Sequence, residues 1–271
     1  MPENHWKSAM KHSAAEDMEL VREAARLSGR IAMDYFGKDP ETWNKHGGSP
    51  VTEADMAVDD YLRRSLLEAR PDYGWLSEET ADTGERLEKQ RVFVVDPIDG
   101  TRGFIRGDAR WCVSIAVVED GRPIAAALMV PVQDRLMTAS LGGGAFCDGE
   151  PIAASRTPYG EDALIAGPQN WLDGKSYPHV RARGADHAPS LAYRFAQVAL
   201  GEADAAFSKP RSHDWDLAAC DLLVHEAGGR LTDLQERVPQ YNRSHLQHDT
   251  LVAGNAVMQP RLVGELAKDR A

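Results

Sequence analysis

Val94-Val95-Asp96-Pro97-Ile98-Asp99-Gly100-Thr101 joins an apolar strand to two acids and a turn. The run that leads into it, RVFVVD (91–96), is short and β-branched, so a strand is expected to deliver Asp96 at its end. Pro97 has no amide hydrogen and is expected to stop ladder pairing, while Gly100 permits a tight turn. Two carboxylates three residues apart on such a turn can converge on one point. Converging carboxylates repel unless a cation sits between them, and hard oxygen donors suit Mg²⁺. A bare D-x-x-D is more often a turn with two solvated aspartates. The full DPIDGT after an apolar strand is a far more specific pattern.

On the N-terminal side, residues 1–13 are read as a loose tail and 15–36 as a helix, stopped by Gly37 and Pro40. NKHGGSP (44–50) is a loop by its glycines and proline. Thr52 can cap a second helix, with Asp55 three residues on and Pro71 closing the run. On the C-terminal side the period changes. WCVSIAVV (111–118), PIAAALMV (123–130) after the Asp120-Gly121 turn, RLMTAS (135–140) and AFCDGEPI (145–152) predict an antiparallel meander. Strands at 163–167, 204–208 and 250–254 then alternate with helices at 190–201, 215–227 and 257–269. That alternation predicts a mixed or parallel sheet with covering helices. The class is α+β passing into α/β, in layers. The organisation expected is a tail over 1–13, an N-terminal α+β lobe over 14–156 holding the metal-binding acids, and a C-terminal α/β lobe over 157–271 completing the site.

Three further acidic clusters accompany Asp96 and Asp99. Ser77-Glu78-Glu79-Thr80 follows a short Tyr73-Gly74-Trp75-Leu76 segment, and alone it is an ordinary solvated face. Trp215-Asp216 opens a helix, where an Asp is most often an N-cap. Asp55 sits in a first helical turn, where an acid favours the dipole.

Taken together, VTEAD (51–55), WLSEET (75–80), VVDPIDGT (94–101) and HDWDLAAC…EAGG (213–229) resemble the inositol monophosphatase superfamily of Mg²⁺-dependent, lithium-sensitive phosphatases. They stand in that family's order and at similar spacing, across roughly residues 15–265. The resemblance implies a layered αβαβα sugar-phosphatase fold with an N-terminal antiparallel and a C-terminal mixed or parallel sheet. It implies that Glu78, Asp96 and the Ile98 carbonyl hold one Mg²⁺, that Asp96, Asp99 and Asp216 hold a second, and that Glu78 with waters serves a weaker third. Thr101 and Asp55 match the dyad that orients and deprotonates the attacking water, and Glu78 acts with them. Asp99, Gly100 and Thr101 lie by the phosphate, and Lys45 stands near the family's active-site lysine. Inhibition by Li⁺ and by excess Mg²⁺, and a homodimer, follow from the same resemblance.

The branch within the superfamily turns on other residues. Arg102-Gly103-Phe104-Ile105 looks like the 3′(2′),5′-bisphosphate nucleotidase branch, which has a basic residue and then Glu-Phe-Ile; Gly103 replaces that Glu. The inositol branch typically has Thr-Asn-Phe. Ser190-Leu191-Ala192-Tyr193-Arg194 resembles the nucleotidase Ser-Leu-Lys pattern, with Pro189 and Ala192 in place of Gly and Lys. Ser190 and Arg194 are therefore candidate substrate contacts. Arg194 or Arg211 can hold a second phosphate by a bidentate contact, against the plainer reading of a surface arginine. The function expected is a Mg²⁺-dependent phosphomonoesterase, leaning to the bisphosphate nucleotidase, with inositol 1-phosphate hydrolysis as the alternative. A non-catalytic interaction or Mg²⁺-binding protein on the same fold is the alternative of another class. Asp96→Asn separates the two: an enzyme loses turnover by orders of magnitude, while a scaffold keeps its partner binding.

Composition narrows the partners. The 271 residues carry a formal net charge of −11, with 42% hydrophobic and 27% charged residues, the balance of a globular protein. No Lys/Arg cluster offers a track for a nucleic acid polymer, so a small phosphorylated metabolite is the expected partner. No apolar run reaches membrane-spanning length and the N-terminus has no secretory core, so no membrane association is expected. Cys112, Cys147 and Cys220 form no CxxC pair, which points to a reducing cytoplasm. Neither GxSxG nor GxxxxGK[ST] occurs, so a serine nucleophile and an NTPase are disfavoured.

Overall fold

The computed structural model describes residues 12–45, 48–173 and 175–269. Most of the expected tail lies outside them, but Ser13 does not belong to a tail. It caps α1 (Ala14–Met33) in a capping box with Glu16. A hairpin of β1 (Thr42–Asn44) and β2 (Pro50–Thr52) follows, so the ends of the expected 44–50 loop are strand. Thr52 then caps α2 (Glu53–Ala69), with Asp55 at the third position answering it as the sequence predicts.

Seven strands form the first sheet, in spatial order equal to chain order: β3 (Gly74–Ser77), β4 (Arg91–Asp99), β5 (Cys112–Glu119), β6 (Arg122–Val130), β7 (Arg135–Ser140), β8 (Gly144–Cys147) and β9 (Glu150–Pro151). All neighbours are antiparallel except β3 and β4. A short helix, α3 (Thr101–Ile105), leaves the end of β4. The remaining elements are β10 (Leu164–Ala166), β11 (Arg183–Gly184), α4 (Leu191–Ala199), β12 (Ala205–Phe207), β13 (Ser212–His213), α5 (Asp214–Glu226), β14 (Gly229–Asp233), β15 (Gln247–His248), β16 (Leu251–Asn255) and α6 (Met258–Lys268). Five of these strands make a mixed second sheet in the order β11-β10-β12-β16-β14, parallel around β10 and antiparallel around β16.

Alternation along the strands builds the layers. In β4, Phe93 and Val95 face α1 and α2, packing with Val21, Val58, Leu62 and Leu66. Each such side chain, fully withdrawn from water, contributes about 1.5–3 kcal/mol. Val92 and Val94 face the other way, into a core shared with Phe195 of α4, Leu217 and Leu223 of α5, and Leu231 and Ala253 of the second sheet. The far face of the second sheet, with Ile165, Phe207 and Val252, is covered by Met258 and Leu262 of α6. The order is helices, sheet, helices, sheet, helix, which is the αβαβα layering expected. Among the described residues no helix is long and apolar enough to cross a membrane.

One expectation is overturned at the decisive stretch. β4 does not end at Asp96. Pro97 and Ile98 bulge out of the ladder, and pairing with β5 resumes at Asp99 opposite Cys112. A bulge absorbs the missing amide of Pro97 without terminating the strand.

Candidate active site

The bulge sets the direction of two acids. Asp96 stays in register opposite Ser114, and its Oδ1 accepts the Ile98 amide at 3.1 Å. Gly100 turns the chain at φ 97°, and a Cβ there would stand 3.1 Å from the Ser190 nitrogen. Glycine is therefore required both by the left-handed conformation and by the approach of α4. Asp99 reaches that helix: its Oδ2 accepts the Ser190 hydroxyl and the Ala192 amide, both at 2.6 Å. Asp216 arrives from the first turn of α5, where its Oδ2 accepts the His213 amide at 2.7 Å. It is the third residue of that helix rather than its N-cap.

Oxygens of Asp96, Asp99 and Asp216 lie within 4.8 Å of one another. Burial is the first cause that raises all three carboxyls above their ordinary range. For Asp96 the charge of Glu78 comes next, followed by Asp99 and Asp216. Such a cluster is costly without a cation. Glu78 stands outside the trio, its Oε1 paired with Lys45 Nζ at 2.8 Å; the same Nζ reaches Glu79 at 2.7 Å. Burial pushes Glu79 up to about 7, against the opposing charge of Lys45.

Asp55 enters from α2, fully buried. One of its oxygens accepts the Thr52 amide and hydroxyl, at 2.8 and 2.6 Å. The other faces the Thr101 hydroxyl at 3.3 Å, which also lies 3.1 Å from the Ile98 carbonyl. Burial pushes Asp55 up to about 6 despite the two bonds from Thr52.

The shared core, the family of acids and the dyad all rest on segments matched by the inositol monophosphatase family model, which covers residues 13–270. The chain belongs to the inositol monophosphatase family. A histidinol-phosphatase of Mycobacterium tuberculosis is 36% identical over 81% of this chain and 88% of its own. An inositol-1-monophosphatase of Mesorhizobium japonicum is 31% identical over 93% and 96%. The IMPase of Thermotoga maritima superposes with a TM-score of 0.84 at 25% identity, covering 94% of this chain and 98% of that one. Family membership makes the chain a metal-dependent phosphoric monoester hydrolase.

Not every expected contact is where the sequence put it. Ser190 is fully buried, and its hydroxyl serves Asp99 and the Tyr193 amide instead of solvent. Ala192 is buried too. Arg194 is half-buried, with Nε 3.4 Å from the Ser190 carbonyl. A residue not singled out is Asp59, one turn after Asp55 on α2. It accepts the hydroxyls of Ser77 and of Thr80, and so fixes the turn that carries Glu78 and Glu79. The i, i+4 spacing of two acids on one helix was the available signal.

Proposed function

We propose that the chain is a Mg²⁺-dependent phosphatase that hydrolyses a small phosphomonoester by attack of a water held at the Thr101 hydroxyl, which Asp55 backs. The observation that carries this is the aspartate trio, with Asp96 and Asp99 buried and Asp216 half-buried, next to the Asp55–Thr101 contact. The donor set fits the cation: hard oxygens only, mutually repelling, with Asp96 and Asp99 withdrawn from water. Asp96, Asp99 and Asp216 would hold it, with Glu78 and the Ile98 carbonyl completing a second position that shares Asp96. Bound there, Mg²⁺ supplies charge neutralisation of the phosphoryl oxygens and acidification of water.

The rest falls to the chain's own groups. Thr101 presents its hydroxyl oxygen to the water while its proton is held by Asp55. Asp55, raised by burial, is a competent acceptor for the proton that leaves. Glu78 would give up its pairing with Lys45 to serve the cation. The amides at the start of α3, after Gly100, face the phosphate. Lys45 is then free to meet a phosphoryl oxygen.

For the substrate the reading is a nucleoside 3′,5′-bisphosphate, whose leaving group is the nucleoside 5′-phosphate. Gly103 and Pro189, two of the three departures from that branch, account for one another: a Cβ on residue 103 would meet the Pro189 ring at 2.3 Å. Inositol 1-phosphate is the second reading, favoured by the Mesorhizobium japonicum relative. A cytoplasmic homodimer inhibited by Li⁺ completes the proposal. Phosphate release in Mg²⁺, with 3′-phosphoadenosine 5′-phosphate and inositol 1-phosphate at matched concentrations, tests it. Release abolished by chelation and by Asp96→Asn is the expected result. Mg²⁺ binding without release from any ester would refute it.

A further inference from the structure

A cavity of about 280 Å³ opens between the first turn of α4 and the strand that leads into α5. Arg194, Lys209, Arg211 and His187 line it, and none of its lining residues is an acid. In a chain of net charge −11 that is a local reversal of sign. The cavity belongs to the neighbourhood of the aspartate trio. Arg194 feels the charges of Asp99 and Asp216, Leu191 follows the serine that bonds Asp99, and Ser212 precedes Asp216 by four residues.

Two buried polar atoms on this lining lack any partner: Nη1 of Arg194 and Oγ of Ser212. Ser212 is only 7% exposed. Both can donate hydrogen bonds, and buried donors of this kind are seldom left unpaired without a ligand to meet them. Lys209 and Arg211 are exposed, and among the described residues neither side chain is engaged in an ion pair. Arg211 is held at φ 77°, a conformation uncommon for a residue with a side chain, and its amide is tied to the His248 carbonyl at 2.8 Å. Burial first, and then the charge of Arg194, hold His187 below its ordinary value, so it offers a neutral ring at pH 7.

From this the geometry points to a leaving-group subsite for a second anion: the preferred substrate is a phosphomonoester that carries another phosphate or a carboxylate. Arg194 and Ser212 meet that anion from below, with Lys209 and Arg211 at the rim. The inference rests on the phosphatase reading for its reaction but not on the nucleotide reading. It also excludes. A leaving group with a cationic amine is repelled by Arg194, Lys209 and Arg211, and a neutral polyol leaves Arg194 unpartnered.

The test uses the Mg²⁺-loaded full chain and paired esters that differ only in the second anion. The pairs are 3′-phosphoadenosine 5′-phosphate against adenosine 3′-phosphate, and 3-phosphoglycerate against glycerol 3-phosphate. At least a tenfold preference in kcat/KM for a two-anion member is expected. The pair that shows it tells phosphate from carboxylate. The ratio should fall below threefold in Arg194→Gln. It should also fall in Arg211→Gln, whose exposed side chain keeps folding out of the result. Ratios near one, a preference for histidinol phosphate, or a ratio unchanged in both variants would overturn the subsite while leaving the phosphatase intact, as hydrolysis of p-nitrophenyl phosphate would show. Should no ester be hydrolysed, the same pairs are titrated calorimetrically. Tighter binding of the two-anion member, lost in Arg211→Gln, keeps the subsite and removes the phosphatase; equal binding removes both.

Discussion

Replacing Asp216 by Asn should stabilise the metal-free protein and abolish its stabilisation by Mg²⁺, two effects of opposite sign from one atom. The oxygens of Asp96, Asp99 and Asp216 are within 4.8 Å of one another. At an effective dielectric constant of about 20, two unit charges at that distance repel by about 3.5 kcal/mol. Asp216 faces two such partners, and the folded protein relieves part of the repulsion by taking up protons, so the gain on removing its charge is smaller than the two pairs together, about 1–4 kcal/mol. Asn keeps an oxygen to accept the His213 amide, so the α5 terminus is preserved. With an unfolding entropy of about 2.1 cal/mol/K per residue, the apo Tm should rise by about 2–7 °C. In the wild type, Mg²⁺ at a hundred times its Kd adds about 2.7 kcal/mol, near 5 °C; in the variant this shift disappears. The pH dependence carries the same sign. These carboxyls are raised by folding, so above the unfolded value the native state binds more protons than the unfolded one. Apo stability therefore falls as pH rises from about 4 through the raised values, and less steeply in the variant. Scanning calorimetry in chelator and in Mg²⁺, from pH 5 to 8, measures all three. An apo Tm below wild type, or an undiminished Mg²⁺ shift, would refute the view that Asp216 is a destabilising acid held for a cation.

Asp55→Asn should lower kcat by about 10²–10⁴-fold with little change in KM. In the wild type kcat should rise with pH through a limb at or below about 6, since the base must be ionised and bound cations move the value down; a limb that survives in the variant belongs to another group. Asp59→Asn should raise the Mg²⁺ concentration for half-maximal rate several-fold while leaving the apo stability within about 2 kcal/mol of wild type, because the Ser77 and Thr80 hydroxyls then lose the carboxylate that fixes the Glu78 turn. Gly103→Ala should destabilise the chain by about 1–3 kcal/mol through collision with Pro189, and Pro189→Gly should restore most of it in the double variant, as urea midpoints will show.

The elements with strong periodicity were legible: α2 with its Thr52 cap, the meander from β5 to β7, and α5 with Asp216 near its start. The aspartate trio was legible as well, because acids after an apolar strand and at a helix start have few other uses. What escaped was set by contacts between distant segments. β14 starts on the second of two glycines and offers five residues with a single exposed arginine between buried ones, too short a pattern to separate from a loop. β1 and β2 exist by pairing with each other, a gain that the local breakers between them conceal. Ser190 was placed against substrate because its segment resembled a substrate-binding pattern. Only the approach of α4 to Gly100 shows that its hydroxyl is spent on Asp99.

That approach also explains why the branch-specific residues were hard to interpret one at a time. The first turn of α4 touches both halves of the site. Its Ser190 and Ala192 fix Asp99, and its Leu191 and Arg194 line the cationic cavity. Pro189, immediately before, occupies the space into which a side chain on residue 103 of α3 would project. A proline at that point requires glycine at 103, and a larger residue at 103 requires that the proline be absent. Read singly, each departure looks like a lost nucleotide contact; read together, they are one packing solution that sets where α4 begins. The position of that turn fixes how Asp99 is aimed and how far Arg194 stands from it. The proposed subsite therefore puts selectivity on the cations behind α4 rather than on the residues that follow DPIDGT.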